Sequence, residues 1–493
     1  MSGLLIAGTT SDAGKSLVTA GICRWLARRG VRVAPFKAQN MSNNSMVCAD
    51  GAEIGRAQWL QARAARVEPE AAMNPVLLKP GSDRRSHVVA LGKPFGTLDA
   101  GEYATGRAGL AEIAFAAFAG LRERFDVVVC EGAGSPAEIN LRRGDYVNLG
   151  LARRFSLPVL VVGDIDRGGV LAAMFGTLAL LSAEDQALVA GWVVNKFRGD
   201  VGLLRPGLAG LEKATGRPVL GVLPWLDRVW IDSEDALAAA GWRYEASSGG
   251  GLRVAVIGFP RASNATDVDA LAAEPGVTVN LTADPDTVAA ADLVVLPGSR
   301  ATVDDLRWLR ENGLAEAVTA RAAAARPVLG ICGGYQMLAE SIEDEIESGA
   351  GVVPGLGLLP TRVRFTGEKV LGRPAGNWRG HPVHAYEIHH GSAGPAAAES
   401  FLDGYRVGAV WGTTWHGALE NDGFRRAWLT EVAAQAGLAW APVAGAPGFA
   451  ALREEMLERL ADAVESELDT ARLLDLLASG APEGQVFVPP GAP

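Results

Sequence analysis

The chain has 493 residues, about three times a typical domain of roughly 150 residues, so two or three folding units are expected. Its composition, 48% hydrophobic and 21% charged with four cysteines, excludes a disordered chain, a disulfide-stapled scaffold and a zinc ribbon. A formal net charge of -10 with scattered basic residues excludes a nucleic-acid-binding stripe. The longest apolar passage, residues 169–181, is shorter than the ~20 residues that cross a bilayer and reads as a buried helix, so no membrane partner is expected. Met1-Ser2-Gly3-Leu4 carries no basic segment and runs into a strand, which predicts a cytoplasmic protein without a signal peptide.

Short β-branched or Leu-rich runs at residues 4–7, 31–34, 127–130, 158–162, 191–194 and 219–222 alternate with longer helical stretches. Continuous apolar strands separated by helices predict a parallel sheet covered on both faces. Small residues at 246–251 interrupt the pattern, and a second alternation follows at 253–257, 277–281, 293–296 and 328–331. The fold class expected is α/β, with two doubly wound, mostly parallel-sheet domains. The first spans residues 1–246, a linker 247–251, and the second 252–440. In the extension 441–493, Phe449, Leu452, Met456, Leu457, Leu460, Val464 and Leu468 recur at helical spacing, predicting an amphipathic helix packed on the second domain.

The first strand leads into Gly8-Thr9-Thr10-Ser11-Asp12-Ala13-Gly14-Lys15-Ser16, followed by a helix that stops near Gly30. Phosphate binding requires glycines so that backbone N–H groups wrap oxygens, a helix N-terminus facing the charge, a lysine, and a hydroxyl for Mg²⁺. Thr10, Asp12, Gly14, Lys15 and Ser16 supply such a loop, with five residues between Gly8 and Gly14 instead of the usual four. The strand ending at Cys130 delivers Glu131 to the sheet edge where ligands bind, placing it with Ser16 as a magnesium ligand. Asn195, at a later strand end, is a candidate reader of an adenine edge. Only seven of the 46 basic residues are lysines, yet Lys15, Lys37, Lys79 and Lys196 all fall at strand ends, as point charges for phosphates would.

In the second half, Gly330-Ile331-Cys332-Gly333-Gly334-Tyr335-Gln336 reads as strand, sharp turn and helix. Small neighbours permit a nucleophile on such an elbow, and the helix N-terminus favours thiolate. The N–H of Gly333 and one from the turn at Gly298 are candidates to hold an oxyanion. A cysteine nucleophile needs a base. Spacing alone does not choose among His87, His381, His384, His389, His390 and His416.

The combination of 9–16, Glu131-Gly132-Ala133-Gly134-Ser135-Pro136 and the Cys332 elbow resembles the glutamine-dependent amidotransferases of cobalamin synthesis. These join a dethiobiotin-synthetase-like ATPase domain, which uses the five-residue loop spacing, to a class I glutaminase domain. Blocks at 36–45, 73–80, 163–169 and 195–200 resemble the branch that amidates the b, d, e and g carboxylates of adenosylcobyrinic acid a,c-diamide, giving adenosylcobyric acid. The sister branch, cobyrinic acid a,c-diamide synthase, carries an acidic segment where this chain has Gln39-Asn40-Met41. The resemblance implies ATP and Mg²⁺ as cofactors, glutamine as nitrogen donor and a corrinoid as substrate, so no histidine is needed as a cobalt ligand. It implies His416 as base, because the family histidine follows Gly-Thr and precedes Gly, as in Gly412-Thr413-Thr414-Trp415-His416-Gly417. His389 is a secondary candidate, structural or substrate-facing. The Glu usually found two positions after the histidine is here Ala418, so the group orienting His416 is unidentified. Arg56, Gln58 and Asn74 are candidates to grip the corrinoid. Other readings are the sister synthase, another ATP-dependent amidoligase, or a partition-type ATPase switch with a degenerate second domain. The oligomeric state is left open, a homo-oligomer included.

Overall fold

A computed structural model describes residues 2–81, 85–99, 107–227, 229, 232, 251–481 and 486–487. In the first half, six strands form one parallel sheet in the order Val219–Pro224, Val189–Phe197, Val159–Asp164, Ser2–Gly8, Val127–Glu131, Val33–Phe36. Strands such as Val127–Glu131 are buried at every residue, which is why they read as uninterrupted apolar runs. Ile6 pairs with Glu131, so the carboxylate leaves the sheet beside the loop that follows Gly8. The helix at 170–179 buries Val170, Met174, Thr177 and Leu178 but leaves neighbouring Leu180 exposed. The buried helix expected there is thus buried along one face only, because it covers one side of the sheet.

The sequence reading did not anticipate a four-stranded sheet inserted into the first half: Gln39–Met41, Val76–Pro80, Arg85–Ala90 and Lys93–Asp99. Its first strand has three residues, too few for an alternation to register. The segment that follows its first strand reaches the second half. Ser45 N–H donates to Asn264 Oδ1 (2.8 Å) and Ala265 N–H to Asn44 Oδ1 (3.3 Å).

The second half carries a seven-stranded sheet whose first five strands are parallel, ordered Val277–Thr282, Leu252–Ile257, Leu293–Leu296, Val328–Ile331, Val410–Thr413. Glu399–Phe401 and Gly404–Val407 extend it antiparallel. Leu296 pairs with Gly330 and Ile331 with Thr413, so the segments after Leu296 and Thr413 emerge on either side of Cys332.

The helix Phe449–Glu467 does form, but its main seat is not the one expected. It lies on Lys15–Arg28 of the first half, where Gly21 lets it approach closely: a Cβ there would stand 2.9 Å from Leu460 O. Buried Arg24 donates to Glu454 (2.8 Å) and Glu458 (2.9 Å). Beyond the helix, Leu468 bridges Gly221 on the edge strand of the first sheet, and Asp469 N–H donates to Leu220 O (2.7 Å), covering a row of backbone groups that an edge strand leaves open. The second half holds only the helix start, through Phe449 N–H to Asp422 Oδ1 (2.9 Å) and Arg453 to Glu420 (2.9 Å). Amphipathic spacing specifies a buried stripe but not the surface that buries it. The linker 247–251 lies, but for Gly251, outside the described residues.

A buried charge network joins the halves. Arg56 pairs with Asp232 and with Glu420 (2.6 Å), and Arg453 pairs with the same two carboxylates. Removing one member would strand its partners without water, a loss of about 3–5 kcal/mol.

Candidate functional site

The residues expected to bind nucleotide converge at the C-terminal edge of the first sheet, around a cavity of about 390 Å³. Gly14 caps the helix Lys15–Arg28 with φ 91°, and a Cβ there would stand 2.2 Å from Asn195 Nδ2, so only glycine fits. Lys15 curls over the loop, its Nζ donating to the carbonyls of Thr10 and Ser11, both at 2.8 Å. Asp12 remains half-exposed at the loop tip, 3.3 Å from Arg167. Ser16 Oγ and Lys37 Nζ both donate to Glu131 Oε1 at 2.8 Å, and Gln61 Nε2 donates to Oε2 at 2.5 Å. Burial pushes the Glu131 carboxyl upward, but the Lys37 ammonium and these hydrogen bonds prevail and hold it below the usual range. A hydroxyl and an ionised carboxylate in contact are hard oxygen donors of the kind Mg²⁺ accepts. Among the described residues no cluster of three or more His, Cys, Asp or Glu offers a complete protein cage, which suits an ion completed by phosphate and water.

Several expected site residues have other employment. Asn195 Nδ2 donates to Ala13 O (2.9 Å), and Lys196 Nζ to Asp12 O (2.7 Å) and Asp164 (2.8 Å), so both brace the phosphate loop from behind. The contact found for Asn195 is thus with the loop backbone in place of an adenine edge. Lys79 is remote from the nucleotide cavity and pairs with Glu53 (2.6 Å). Arg56 belongs to the buried network, and Asn74 donates to Lys37 O and Val76 O while accepting from Gly55 N–H. Gln58 is fully buried. None of the three faces solvent as a corrinoid grip would: Arg56 and Gln58 lie on the buried face of the helix Arg56–Ala64, and Asn74 is buried at the end of the turn Ala71–Met73.

The thiol sits as expected on a strained elbow. Cys332 has φ 50° and ψ -109° between the strand Val328–Ile331 and the helix Gly333–Leu338. Any side chain on Gly334 would fall 2.0 Å from Leu296 O, and one on Gly330 2.7 Å from Tyr335 N. Cys332 N–H donates to Thr413 O (2.8 Å), and three residues later His416 turns back beside the thiol. The His416 ring stacks on Tyr386, centroids 5.3 Å apart.

What sequence reasoning missed is the group that orients this histidine. Asp267 Oδ2 lies 2.6 Å from His416 Nδ1, and its Oδ1 accepts from Gly417 N–H (2.7 Å). The carboxylate only accepts, which puts the proton on Nδ1 and leaves Nε2 for the neighbouring Cys332, whose thiol donates to Ile388 O at 3.9 Å. Burial lowers the basicity of His416, yet Asp267 and then Cys332 outweigh it and raise its pKa to about 10. Asp267 stands 149 residues before His416, in the short turn Ala265–Val268 that Asn44 and Ser45 fasten to the first half. The available signal was an acidic residue in the polar segment after the strand Leu252–Ile257, at a sheet edge where ligands gather.

Gly333 opens its helix, so its N–H has no intrahelical acceptor, and a Cβ on it would press 2.7 Å from Ser299 N. Gly298 is as close to the base: a Cβ there would lie 3.0 Å from His416 Cε1. The elbow and the turn at 298–299 therefore face each other across the thiol. His389 lines the cavity in front of Cys332, 3.6 Å from Glu387.

Comparison with known proteins accounts for both sites. Residues 4–237 match the CobQ/CobB/MinD/ParA nucleotide binding domain, and residues 253–424 the CobB/CobQ-like glutamine amidotransferase domain. Along the whole chain, the cobyric acid synthase of Streptomyces avermitilis is 63% identical, covering 100% of this chain and 99% of its own. The chain belongs to the cobyric acid synthase family. The cobyric acid synthase of Cutibacterium acnes is 60% identical over 97% of this chain and all of its own, and that of Mycolicibacterium gilvum 59% over 100% of both. Within this family's two domains fall all the residues assembled above: Lys15, Ser16 and Glu131 in the nucleotide-binding part, and Asp267, Cys332 and His416 in the amidotransferase part. Among the described residues no helix is long and apolar enough to cross a membrane.

Proposed function

We propose that the protein uses glutamine and ATP to amidate the b, d, e and g carboxylates of adenosylcobyrinic acid a,c-diamide, giving adenosylcobyric acid. The observation that carries this reading is an intact Asp267, His416 and Cys332 relay joined in one chain to a phosphate loop. A partition-type switch has no use for such a relay, and the full-length relatives named above are cobyric acid synthases.

At the elbow, the Cys332 sulfur attacks the glutamine amide carbon, and the N–H groups of Gly333 and the 298–299 turn receive the oxyanion. His416 Nε2 gives its proton to the departing nitrogen as the C–N bond breaks, releasing ammonia. Water then hydrolyses the thioester with His416 as base, releasing glutamate and restoring the thiol. Asp267 holds the Nδ1 proton throughout, so that Nε2 alone exchanges. At the loop, a substrate carboxylate oxygen attacks the γ-phosphorus of ATP and ADP leaves, giving an acyl phosphate. Ammonia displaces phosphate from its carbonyl carbon, and the amide forms. The loop amides and Lys15 receive the charge that accumulates on the phosphates. Ser16 and Glu131 would hold Mg²⁺, which supplies further charge neutralisation at the phosphates. Asn195 and Lys196 keep the loop in shape, with Thr10 and Asp12 at its rim. Four free, buried cysteines support a reducing, cytoplasmic setting.

The deciding experiment is mass analysis of the corrinoid after incubation with ATP, Mg²⁺ and glutamine. Four added amides are expected, and an unchanged a,c-diamide would overturn the reading. Cys332→Ala should abolish amidation from glutamine while amidation from added ammonia persists.

A further inference from the structure

The cavity in front of Cys332, about 100 Å³, is not made by the amidotransferase half alone. Lys79 and His87, partners across the inserted sheet, form part of its wall. Lys79 Nζ donates to Glu53 Oε1 (2.6 Å) and Ser45 Oγ (2.9 Å), while Lys369 reaches across from the other half to Glu53 Oε2 (2.5 Å). Arg300 and Glu347 pair at 2.5 Å on the same wall. Three cations against two carboxylates leave one positive charge in surplus. His87 and His390 do not add to it: burial, then Arg300 and Lys369, push His87 down to about 4, and burial keeps His390 below its ordinary value.

The head of glutamine offers a carboxylate and an ammonium. An ammonium has three donors, of which Lys79 uses two and Lys369 one, so both keep capacity for an anion. Glu347 is the acidic group able to meet the α-amino end. His389, with 7% of its side chain exposed and neither ring nitrogen hydrogen-bonded, lines the same space.

We propose that Lys79, together with Lys369, binds the α-carboxylate of glutamine, so that the ATPase domain supplies a charged wall to the glutaminase pocket. The inference rests on Cys332 being the glutaminase nucleophile. It makes the donor pocket complete only when the two halves are docked, and Lys79 a binding residue contributed from outside the amidotransferase domain.

The test uses the full chain and two alkylating probes of Cys332, read by peptide mass. 6-Diazo-5-oxo-L-norleucine carries the whole amino-acid head, and iodoacetamide carries none of it. In Lys79→Met, labelling by the first should slow at least about tenfold, as loss of a charge-assisted hydrogen bond implies, while labelling by iodoacetamide stays within about twofold of the unaltered protein. Because an unfolded chain reacts with iodoacetamide but not with the glutamine analogue, both rates are taken at a temperature where a melting curve shows the variant folded, and Lys79→Arg should restore part of their ratio. An unchanged ratio, whether both rates fall or neither does, would overturn the proposal. Failure of the parent reading would be visible in the unaltered protein itself, as iodoacetamide labelling of Cys332 with none by the glutamine analogue, and would overturn the subsite with it.

Discussion

The two pockets stand at equivalent places, each at the C-terminal edge of a parallel sheet where a helix begins, yet they are assembled in opposite ways. The phosphate-binding part of the nucleotide pocket is one continuous segment from Gly8 to Ser16 with a carboxylate from the adjacent strand, and residues 37–41 and 133–148 complete the cavity. The thiol pocket draws Asp267, Cys332 and His416 from three separate segments and takes a wall from the other half of the molecule. Binding a phosphate requires mainly backbone N–H groups, which a short loop provides by itself. Moving a proton along a relay requires side chains in contact, and contiguous residues rarely reach one another that way.

The contrast can be broken at its most extended point. Asp267→Asn should lower glutamine hydrolysis on the order of 10³–10⁴-fold, through loss of the correct tautomer. Ammonia-driven amidation should continue, as a glutaminase assay run beside a corrinoid mass assay will show. Equal losses in both would mean that Asp267 serves the fold and not the imidazole.

The docking itself comes next. Arg453→Met leaves Asp232 and Glu420 with Arg56 alone, and unfolding stability should fall by about 3–5 kcal/mol in a denaturant titration. A change below about 0.5 kcal/mol would place the network among solvated surface pairs.

A sharper separation comes from Gln61→Ala, which frees Glu131 Oε2. The Mg²⁺ concentration needed for half-maximal amidation should rise roughly 10–100-fold, with glutamine hydrolysis unaffected. A shift confined to the glutaminase rate would reverse the assignment of the two pockets.

The last effect is a drift with pH. His416 holds its proton to about 10 in the folded chain, against about 6.5 when unfolded. The folded state therefore binds more protons between these values. The stabilisation is fully present below pH 6.5 and is lost as pH rises to about 10. Melting temperature should decline over that window, and the decline should be flatter in Asp267→Asn.

Much of this was legible beforehand. Strands at 293–296 and 328–331 fall where the sequence reading places them, because a strand buried on both faces leaves an unbroken apolar run. The inserted sheet was not legible, since its first strand has three residues and the later ones lack an unbroken apolar run: Arg85–Ala90 opens on Arg-Ser-His, and Lys93–Asp99 carries Pro94 and Gly96. The seat of Phe449–Glu467 and the role of Lys79 depend on neighbours that only the fold brings up, and Lys79 carries a strand-end signature that fits phosphate and glutamate partners equally well.

By itself the sequence determined two parallel sheets, a phosphate loop and a thiol elbow, since each is written in local periodicity, small residues and short spacings, while the choice of histidine came from the family resemblance. Only the tertiary structure decided that Asp267 orients His416, that Asn195 and Lys196 brace the loop, and that the first half closes the thiol cavity. Those are contacts between segments far apart along the chain, and the packing that brings them together depends on every intervening element at once.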